Sequence, residues 1–423
     1  MKRGPVKHGP VKGDRPGRPV LSLMLYLLLL ALGWSAAQPG TLLDITSTGS
    51  LSAEAVDARV AGRFRSNGES APAATTSVDT YLIRYNSVWP NGDPAEITAQ
   101  LFVPVEVAMP ESLLVFAPGS TGLVEACAPS RPFVEGGSYG TYNAYTLAFA
   151  GQGFAAVMPN YMGFFDVGVI QPYFDRVAEG RALLDAIRAS EQALASLGEG
   201  RNSLPAFVAG YSQGGHAAFS AADLHAEYAP DTDLAGVVGF GPTTVMSSLF
   251  LEFTFVAPWV VYSSLIFEPG RIDPARMLAE PYLSRLASDA ERLCILEAQS
   301  YYPASPQSLF RPEFTAALRE RTLERDYPDV AEWFAENDAG LAGHGLPVII
   351  LQGVDDPVVH IDSQNRFVVA LCQAGSAVRY PNYLRTRHET RYIGFGTAID
   401  WMRLVASGES TPADDCADIP TGP

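Results

Sequence analysis

Short, wholly apolar runs recur along the chain, and most are followed by a turn and then by a segment with helical spacing. Such runs are typical of buried parallel strands. They lie at 113–117, 154–158, 206–210, 234–240 and 346–352. Between them, apolar residues three or four apart predict helices, the clearest at 175–197. Strands that alternate with helices predict an α/β protein whose mostly parallel central sheet is flanked by helices.

The two ends of this pattern carry weaker signals. Residues 38–78 are rich in small and polar side chains and have little periodicity, so we expect an N-terminal extension lying on the domain. A strand pair at 81–85 and 99–103, joined through a turn at 90–94, is predicted to open the sheet. After the run at 346–352 the pattern predicts, in order, a helix at 363–373, a final strand at 377–380 and a closing helix at 392–406.

Between about 241 and 345 the alternation stops, and helical stretches with many large apolar residues take over. We interpret this segment as an inserted, mainly helical cap. The core domain is then formed in two parts, 79–240 and 346–423, the second ending in a tail that carries a cysteine. The most apolar stretch of the insertion, 249–267, is suited either to an acyl tunnel or lid, or to an ordinary core.

Residues 1–37 have the layout of a signal peptide: six basic residues, an apolar run at 20–32, and small residues at Ser35, Ala36 and Ala37. The run of about 13 residues is too short to cross a hydrocarbon core of ~30 Å as a helix. We therefore expect cleavage near Ala37 and a secreted or periplasmic protein.

Removal of that segment changes the charge of the chain. It takes away six of the 29 basic residues and one of the 46 acidic residues, which leaves 23 and 45 and a net charge of −22. All three lysines lie in it. Nucleic acids and anionic membranes attract basic patches, so the acidic remainder argues against nucleic-acid binding.

Four cysteines remain, at positions 127, 294, 372 and 416. None of the spacings is that of a zinc site, and an even count in an exported protein predicts two disulfides, for which three connectivities are possible. The sequence contains no metal or cofactor motif that we recognise, so neither is predicted.

The segment Gly210-Tyr211-Ser212-Gln213-Gly214 matches the nucleophile elbow G-x-S-x-G. It follows an apolar strand and precedes a helix, the context in which a sharp turn exposes the serine hydroxyl. Residues 136–140 fit the same pattern but have no strand before them. Ser212 is therefore the predicted nucleophile.

A serine hydroxyl needs a base, and a base of this kind needs a carboxylate that fixes its tautomer. Among six histidines, His388 follows the last predicted strand, where this fold places the base, while His360 is an awkward alternative. Asp355 and Asp356 follow the strand at 346–352 and compete for the third role.

The oxyanion formed on the attacked carbonyl needs two N–H donors. One is expected from the backbone of Gln213, and the other from the glycine-rich loop after the strand 113–117, with Ser120 preferred over its neighbour Gly119. That loop lacks the G-K-[ST] of a P-loop, and no lysine lies outside residues 1–37, so a P-loop is excluded.

Several segments together resemble the secreted lipase family of the α/β-hydrolase fold, typified by Candida antarctica lipase A. The likeness runs from about residue 80 to 416, and the glycine-rich oxyanion loop is closer to bacterial ester hydrolases. The segments are Cys127-Ala-Pro-Ser, Ala178-Glu-Gly-Arg-Ala-Leu-Leu-Asp-Ala-Ile-Arg, Gly210-Tyr-Ser-Gln-Gly-Gly-His-Ala, Asp356-Pro-Val-Val and Arg387-His388.

The resemblance implies a triad of Ser212, Asp356 and His388, choosing Asp356 over Asp355. It also implies the disulfides Cys127–Cys294 and Cys372–Cys416. The expected activity is hydrolysis of carboxylic esters, acylglycerols or other apolar esters including polyesters, with transient contact to a lipid interface. Acyl transfer to an acceptor other than water is the rival reaction, and a non-catalytic exported binding protein is the rival class.

Overall fold

The computed structural model describes Met1 and residues 38–105, 110–130, 139–165, 168–198, 204–408 and 414–419. The chain divides into two compact units, 1–38 and 39–423, and everything below concerns the second. The predicted signal peptide, apart from Met1, lies outside the described residues, as does the serine of the 136–140 motif.

A ten-stranded sheet runs through the described part of the second unit. Its order is β1-β2-β3-β5-β4-β6-β7-β8-β10, with β9 also paired to β8. The contacts β1/β2, β2/β3 and β3/β5 are antiparallel, and the rest are parallel. The strands are β1 (Leu42–Leu51), β2 (Val78–Val88), β3 (Pro94–Pro104), β4 (Leu113–Ala117), β5 (Ala155–Pro159), β6 (Ala206–Tyr211), β7 (Leu234–Phe240), β8 (Val348–Gly353), β9 (Val378–Arg379) and β10 (Asn382–Tyr383).

Helices cover both faces of this sheet. The described helices outside the insertion are α1 (Ala53–Ser66), α2 (Tyr139–Ala150), α3 (Arg176–Leu197), α4 (Gln213–Tyr228), α14 (Ile361–Gln373), α15 (Thr390–Ile393) and α16 (Phe395–Ser407). Successive side chains of a strand point to opposite faces. In β4, accordingly, Leu113 and Val115 join the core under α3 and α4, while Leu114 and Phe116 join the core under α2 and α16. The predicted α/β-hydrolase fold class is confirmed.

The insertion between β7 and β8 contains only helices as regular structure in its described residues. They are α5 (Met246–Glu252), α6 (Ala257–Phe267), α7 (Pro274–Met277), α8 (Leu286–Ala290), α9 (Ile295–Tyr301), α10 (Pro306–Leu309), α11 (Pro312–Glu320), α12 (Leu323–Asp326) and α13 (Pro328–Asn337). They share an apolar core that also takes in Leu123 and Tyr173 from the α/β part. Within the described ranges no single helix is long and apolar enough to span a membrane. The helix α5 and the helical segment 254–267 reach that length and apolar content only when taken together, and they are bent by 110° where they meet.

Residues 38–78 differ from the expected extension, because they supply β1 and α1. The strand β1 pairs with β2 at the sheet edge and is mostly exposed, so its side chains show little apolar alternation. In α1 only Val56, Val60 and Phe64 are buried. Both elements therefore leave a weak signal in the sequence.

The C-terminal elements also differ in detail. The strand predicted at 377–380 is reduced to the two residues of β9, and β10 follows it on the same strand, β8. The closing helix predicted at 392–406 is broken at Gly394 into α15 and α16. A Cβ at Gly394 would lie 2.4 Å from Leu351 Cδ2, so a larger residue there would require the buried Leu351 side chain to move.

Candidate active site

Ser212 lies at a strained turn between β6 and α4. Its φ of 55° and ψ of −115° are rare for a residue with a side chain. A Cβ at Gly210 would lie 1.8 Å from Gly214 O, and one at Gly214 would lie 1.9 Å from Ala117 O. Only glycine fits at either position, which gives the G-x-S-x-G pattern its physical reason here.

The structure brings His388 and Asp356 together after the ends of β10 and β8. Nδ1 of His388 lies 2.8 Å from Oδ2 of Asp356. The other carboxylate oxygen accepts hydrogen bonds from the backbone N–H groups of Val358 (2.8 Å) and Val359 (3.0 Å). The Asp356 side chain is wholly buried, and it can therefore fix the orientation of the imidazole.

Asp355, the competing carboxylate, is exposed, and its backbone N–H bonds to Thr386 O at 3.0 Å. Gly241, with a φ of 51°, lies against the paired side chains of His388 and Asp356. A Cβ at this position would be 3.2 Å from His388 Nδ1. The positive φ and the nearby imidazole both favour glycine at this turn after β7.

Ser212 and His388 line one cavity of about 490 Å³. Among the described residues, His388 Nε2 has no hydrogen-bond partner. Since Nδ1 is engaged with Asp356, Nε2 is the imidazole nitrogen that is available to accept a proton. The rival His360 is exposed and lies 3.8 Å from Glu252, away from this pair.

Of the predicted oxyanion residues, Ser120 lines the same cavity, and Gln213 directly follows Ser212, which also lines it. As the first residue of α4, Gln213 has an N–H with no helix carbonyl one turn back to bond. Ser120 lines the cavity, and its Oγ lies 2.5 Å from Tyr173 OH. A Cβ at Gly119 would be 2.7 Å from Tyr142 OH, so a larger residue there would require the Tyr142 side chain to move.

The cavity is lined by both apolar and polar side chains. The insertion and the loop after β8 supply the apolar side chains of Phe253, Phe255, Ile295, Leu296, Pro357 and Val358. The polar lining residues are Tyr142, Tyr211, Gln299, Arg387, Glu389 and Arg391. Of the apolar stretch 249–267, Phe253 and Phe255 reach the cavity, whereas most of its other large side chains fill the core of the insertion.

Sequence reasoning missed the charged cluster beside His388. Arg391 is buried, its Nε bonds to Glu389 at 3.0 Å, and its guanidinium stacks over the rings of Tyr211 (4.3 Å) and Tyr142 (4.7 Å). Burial lowers the pKa of Arg391, but Glu389 and the neighbouring tyrosines together outweigh burial and raise that pKa. Tyr211 OH also donates to Glu389 at 3.0 Å, which links the elbow to the histidine loop. The alternating charges of 387–391 were the available signal.

The disulfides pair Cys127 with Cys294 and Cys372 with Cys416, the pairing that the resemblance implies. In the described ranges, one cluster has the spacing of a metal site, Cys372, Asp414 and Cys416. Both of its sulfurs are engaged in a disulfide, so it offers no thiolate to a metal.

The model of the secretory lipase family matches residues 142–252, which include the elbow. The trichothecene C-3 esterase of Fusarium sporotrichioides is 26% identical over 407 residues, covering 89% of this chain and 82% of the relative. The chain is an ester hydrolase. Export agrees with the match to a secretory family, although the cleavage site lies outside the described residues.

Two solved structures show how widely the fold of this hydrolase is shared. The rice cell wall degrading esterase LipA from Xanthomonas oryzae superposes with a TM-score of 0.67 at 16% identity, over 88% of this chain and 98% of its own. Candida antarctica lipase A in its closed state superposes with a TM-score of 0.63 at 17% identity, over 88% of this chain and 83% of its own. Together with the family match, they confirm the resemblance to the secreted lipases.

Proposed function

We propose that the hydrolase cleaves apolar carboxylic esters with Ser212 as nucleophile, His388 as base and Asp356 as the carboxylate that orients it. One observation carries this assignment: His388 is bonded to a buried Asp356 through Nδ1, has a free Nε2, and shares its cavity with a serine held in a strained turn. A nucleophile, a base and an orienting group in that relation are what acyl transfer through serine requires.

In the proposed reaction, Ser212 Oγ attacks the ester carbonyl while His388 Nε2 takes its proton. The carbonyl oxygen becomes an oxyanion, which the N–H groups of Gln213 and Ser120 stabilise. The imidazolium then gives the proton to the departing alcohol, and an acyl-enzyme remains. Water, deprotonated by His388, releases the acid and restores the serine.

The side chains that line the cavity suit different parts of an ester substrate. Phe253, Phe255 and Val358 offer an apolar surface for the acyl group, whereas Glu389 and Arg387 lie where polar parts of an alcohol can be solvated. A cavity of about 490 Å³ lies within the usual range for small-molecule sites, roughly 300–1,000 Å³. Leu296, which lines the cavity and is 48% exposed, offers an apolar contact to a lipid surface at the cavity.

The test is hydrolysis of p-nitrophenyl esters from acetate to palmitate by the mature protein and by Ser212→Ala. We expect the variant to lose activity on every ester and to lose labelling by a fluorophosphonate probe. A peak at long chains would identify a lipase, and a peak at short chains an esterase with a narrow acyl site. Equal activity in both proteins would refute Ser212 as nucleophile, and inactivity of both would refute the proposed function.

A further inference from the structure

A buried polar network lies behind Ser212, and no step of the proposed reaction uses it. At its centre, the Glu179 carboxylate on α3 accepts hydrogen bonds from Gln213 Nε2 (2.7 Å) and the backbone N–H of Phe174 (3.1 Å), and pairs with His216 Nδ1 (2.6 Å). Glu179, Gln213 and His216 are at most 1% exposed. The network joins the two segments at 178–188 and 210–217 that carry the resemblance to the secreted lipases.

The charge of Glu179 is balanced inside the network. His216 Nε2 lies 2.7 Å from the carbonyl oxygen of Asn337, which can only accept, so this nitrogen carries a hydrogen. The proton between Nδ1 and Glu179 then makes the pair neutral as a whole, whichever of the two holds it. A neutral, fully bonded pair is a fixed anchor for the side chain of Gln213.

From Gln213 the network continues to the oxyanion loop. The second hydrogen of Gln213 Nε2 is donated to Gln171 Oε1 at 3.1 Å. Gln171 Nε2 in turn donates to the carbonyl oxygen of Gly122, and its backbone N–H donates to Leu123 O at 2.9 Å. The orientation of the Gln213 side-chain amide is determined, because the opposite orientation would place its oxygen beside the Glu179 carboxylate oxygen. Gln171 therefore bridges the start of α4 and the end of the 119–122 loop.

The two ends of this bridge are the two elements expected to supply oxyanion donors. We propose that Gln171 is a positioning residue that sets the separation between the N–H of Gln213 and that of Ser120; this rests on the proposed function. A donor displaced by about 1 Å can lower a rate by about 100-fold. Such a residue acts on the transition state, in which the oxygen carries charge, and little on binding of the neutral ester.

The test compares Gln171→Met with Gln192→Met. Methionine has a similar length but cannot bond to Gln213 or Gly122. Gln192 is the control for bridging, because this exposed glutamine also joins two backbone groups, Gly40 O at 2.8 Å and Leu42 N at 3.0 Å, but bonds to neither α4 nor the 119–122 loop. Gln171→Asn serves as a second variant that keeps a buried amide one methylene too short for the bridge.

For Gln171→Met and Gln171→Asn we expect kcat on p-nitrophenyl butyrate to fall about 10- to 100-fold with KM within about twofold. The affinity for a trifluoromethyl ketone, which forms an oxyanion on Ser212, should fall by the same factor. The affinity for the matching methyl ketone, which does not form an oxyanion on Ser212, should be unchanged. Gln192→Met should leave all of these unchanged even where its melting temperature drops.

Wild-type kcat and inhibitor affinity in either folded Gln171 variant would overturn the proposal. So would activity losses in all three variants that simply follow melting temperature. If Gln171→Met does not fold, Gln171→Asn decides the matter. Failure of the proposed function itself is recognised separately, by wild-type protein that hydrolyses no ester or by a Ser212→Ala variant that remains active.

Discussion

Replacing Asp356 by asparagine tests the role of the carboxylate sharply, because two backbone donors to Oδ1, against one longer bond of 3.3 Å from Gln352 Nε2 to Oδ2, favour one orientation of the new amide. Oδ1 of Asp356 accepts two backbone N–H groups, from Val358 and Val359. Asparagine can keep both bonds only with its oxygen in that place, and its NH₂ then faces His388. Nδ1 of His388 must accept, so the ring hydrogen moves to Nε2, and the ring can no longer take a proton from Ser212.

In serine hydrolases that use such a pair, the wrong tautomer lowers kcat by about 10⁴, which corresponds to about 5.5 kcal/mol. We expect a loss of this size in kcat on p-nitrophenyl butyrate near pH 7.5. Since both backbone hydrogen bonds are retained, the variant should still fold, as its circular dichroism and melting curve would show.

Asp355→Asn is the matched control, because Asp355 is the adjacent carboxylate and is exposed. Its kcat should stay within about threefold of the wild-type value, as for most surface changes outside a site. A loss smaller than tenfold in Asp356→Asn, or equal losses in the two variants, would refute the reasoning from the tautomer.

Three further predictions concern stability and specificity. Replacing Cys372 and Cys416 by serine opens a 44-residue loop and should lower the free energy of unfolding in urea by about 4 kcal/mol, with kcat unchanged. Burial lowers the pKa of His216, but the pairing with Glu179 outweighs it and raises that pKa above 6.5. The protonated form is thus favoured by folding, so this stabilisation is complete below about pH 6.5 and is lost as the pH rises through the raised value. The melting temperature should therefore fall on the alkaline side for the wild type and not for His216→Gln. Phe253→Ala removes a large apolar side chain from the cavity wall and should raise kcat/KM for p-nitrophenyl palmitate relative to p-nitrophenyl acetate. An unchanged ratio of the two kcat/KM values would contradict binding of the acyl group beside Phe253.

Much of the fold was predictable because the central strands bury both faces. The strands β4 to β8 are continuous apolar runs, and their register places the turn residues at one edge of the sheet. The edge strand β1 was not predictable, because a strand with one pairing partner and exposed side chains needs few apolar residues. Its place is determined by pairing with β2, a contact that no local pattern records.

The site shows the same division between local and distant information. The elbow around Ser212 is a local motif with a steric cause, and it can be found from the sequence. The choice between Asp355 and Asp356 depends on burial, and the two residues differ in that only once the loop after β8 is folded. The contacts of Glu179 with His216 and of His216 with Asn337 join residues 37 and 121 positions apart, so no spacing rule could have found them.

The disulfide between Cys127 and Cys294 has a mechanical consequence for how substrate enters. Cys294 immediately precedes α9, which supplies Ile295 and Leu296 to the cavity, and Ile295 N also donates to Thr121 O at 2.9 Å. This wall is thus joined to the chain around the oxyanion loop twice, by the disulfide to Cys127 and by the hydrogen bond to Thr121. If the entrance widens for a bulky ester, it must do so without separating α9 from residues 121 and 127. The disulfide thereby limits how far this part of the insertion can move away from the loop that is proposed to stabilise the oxyanion.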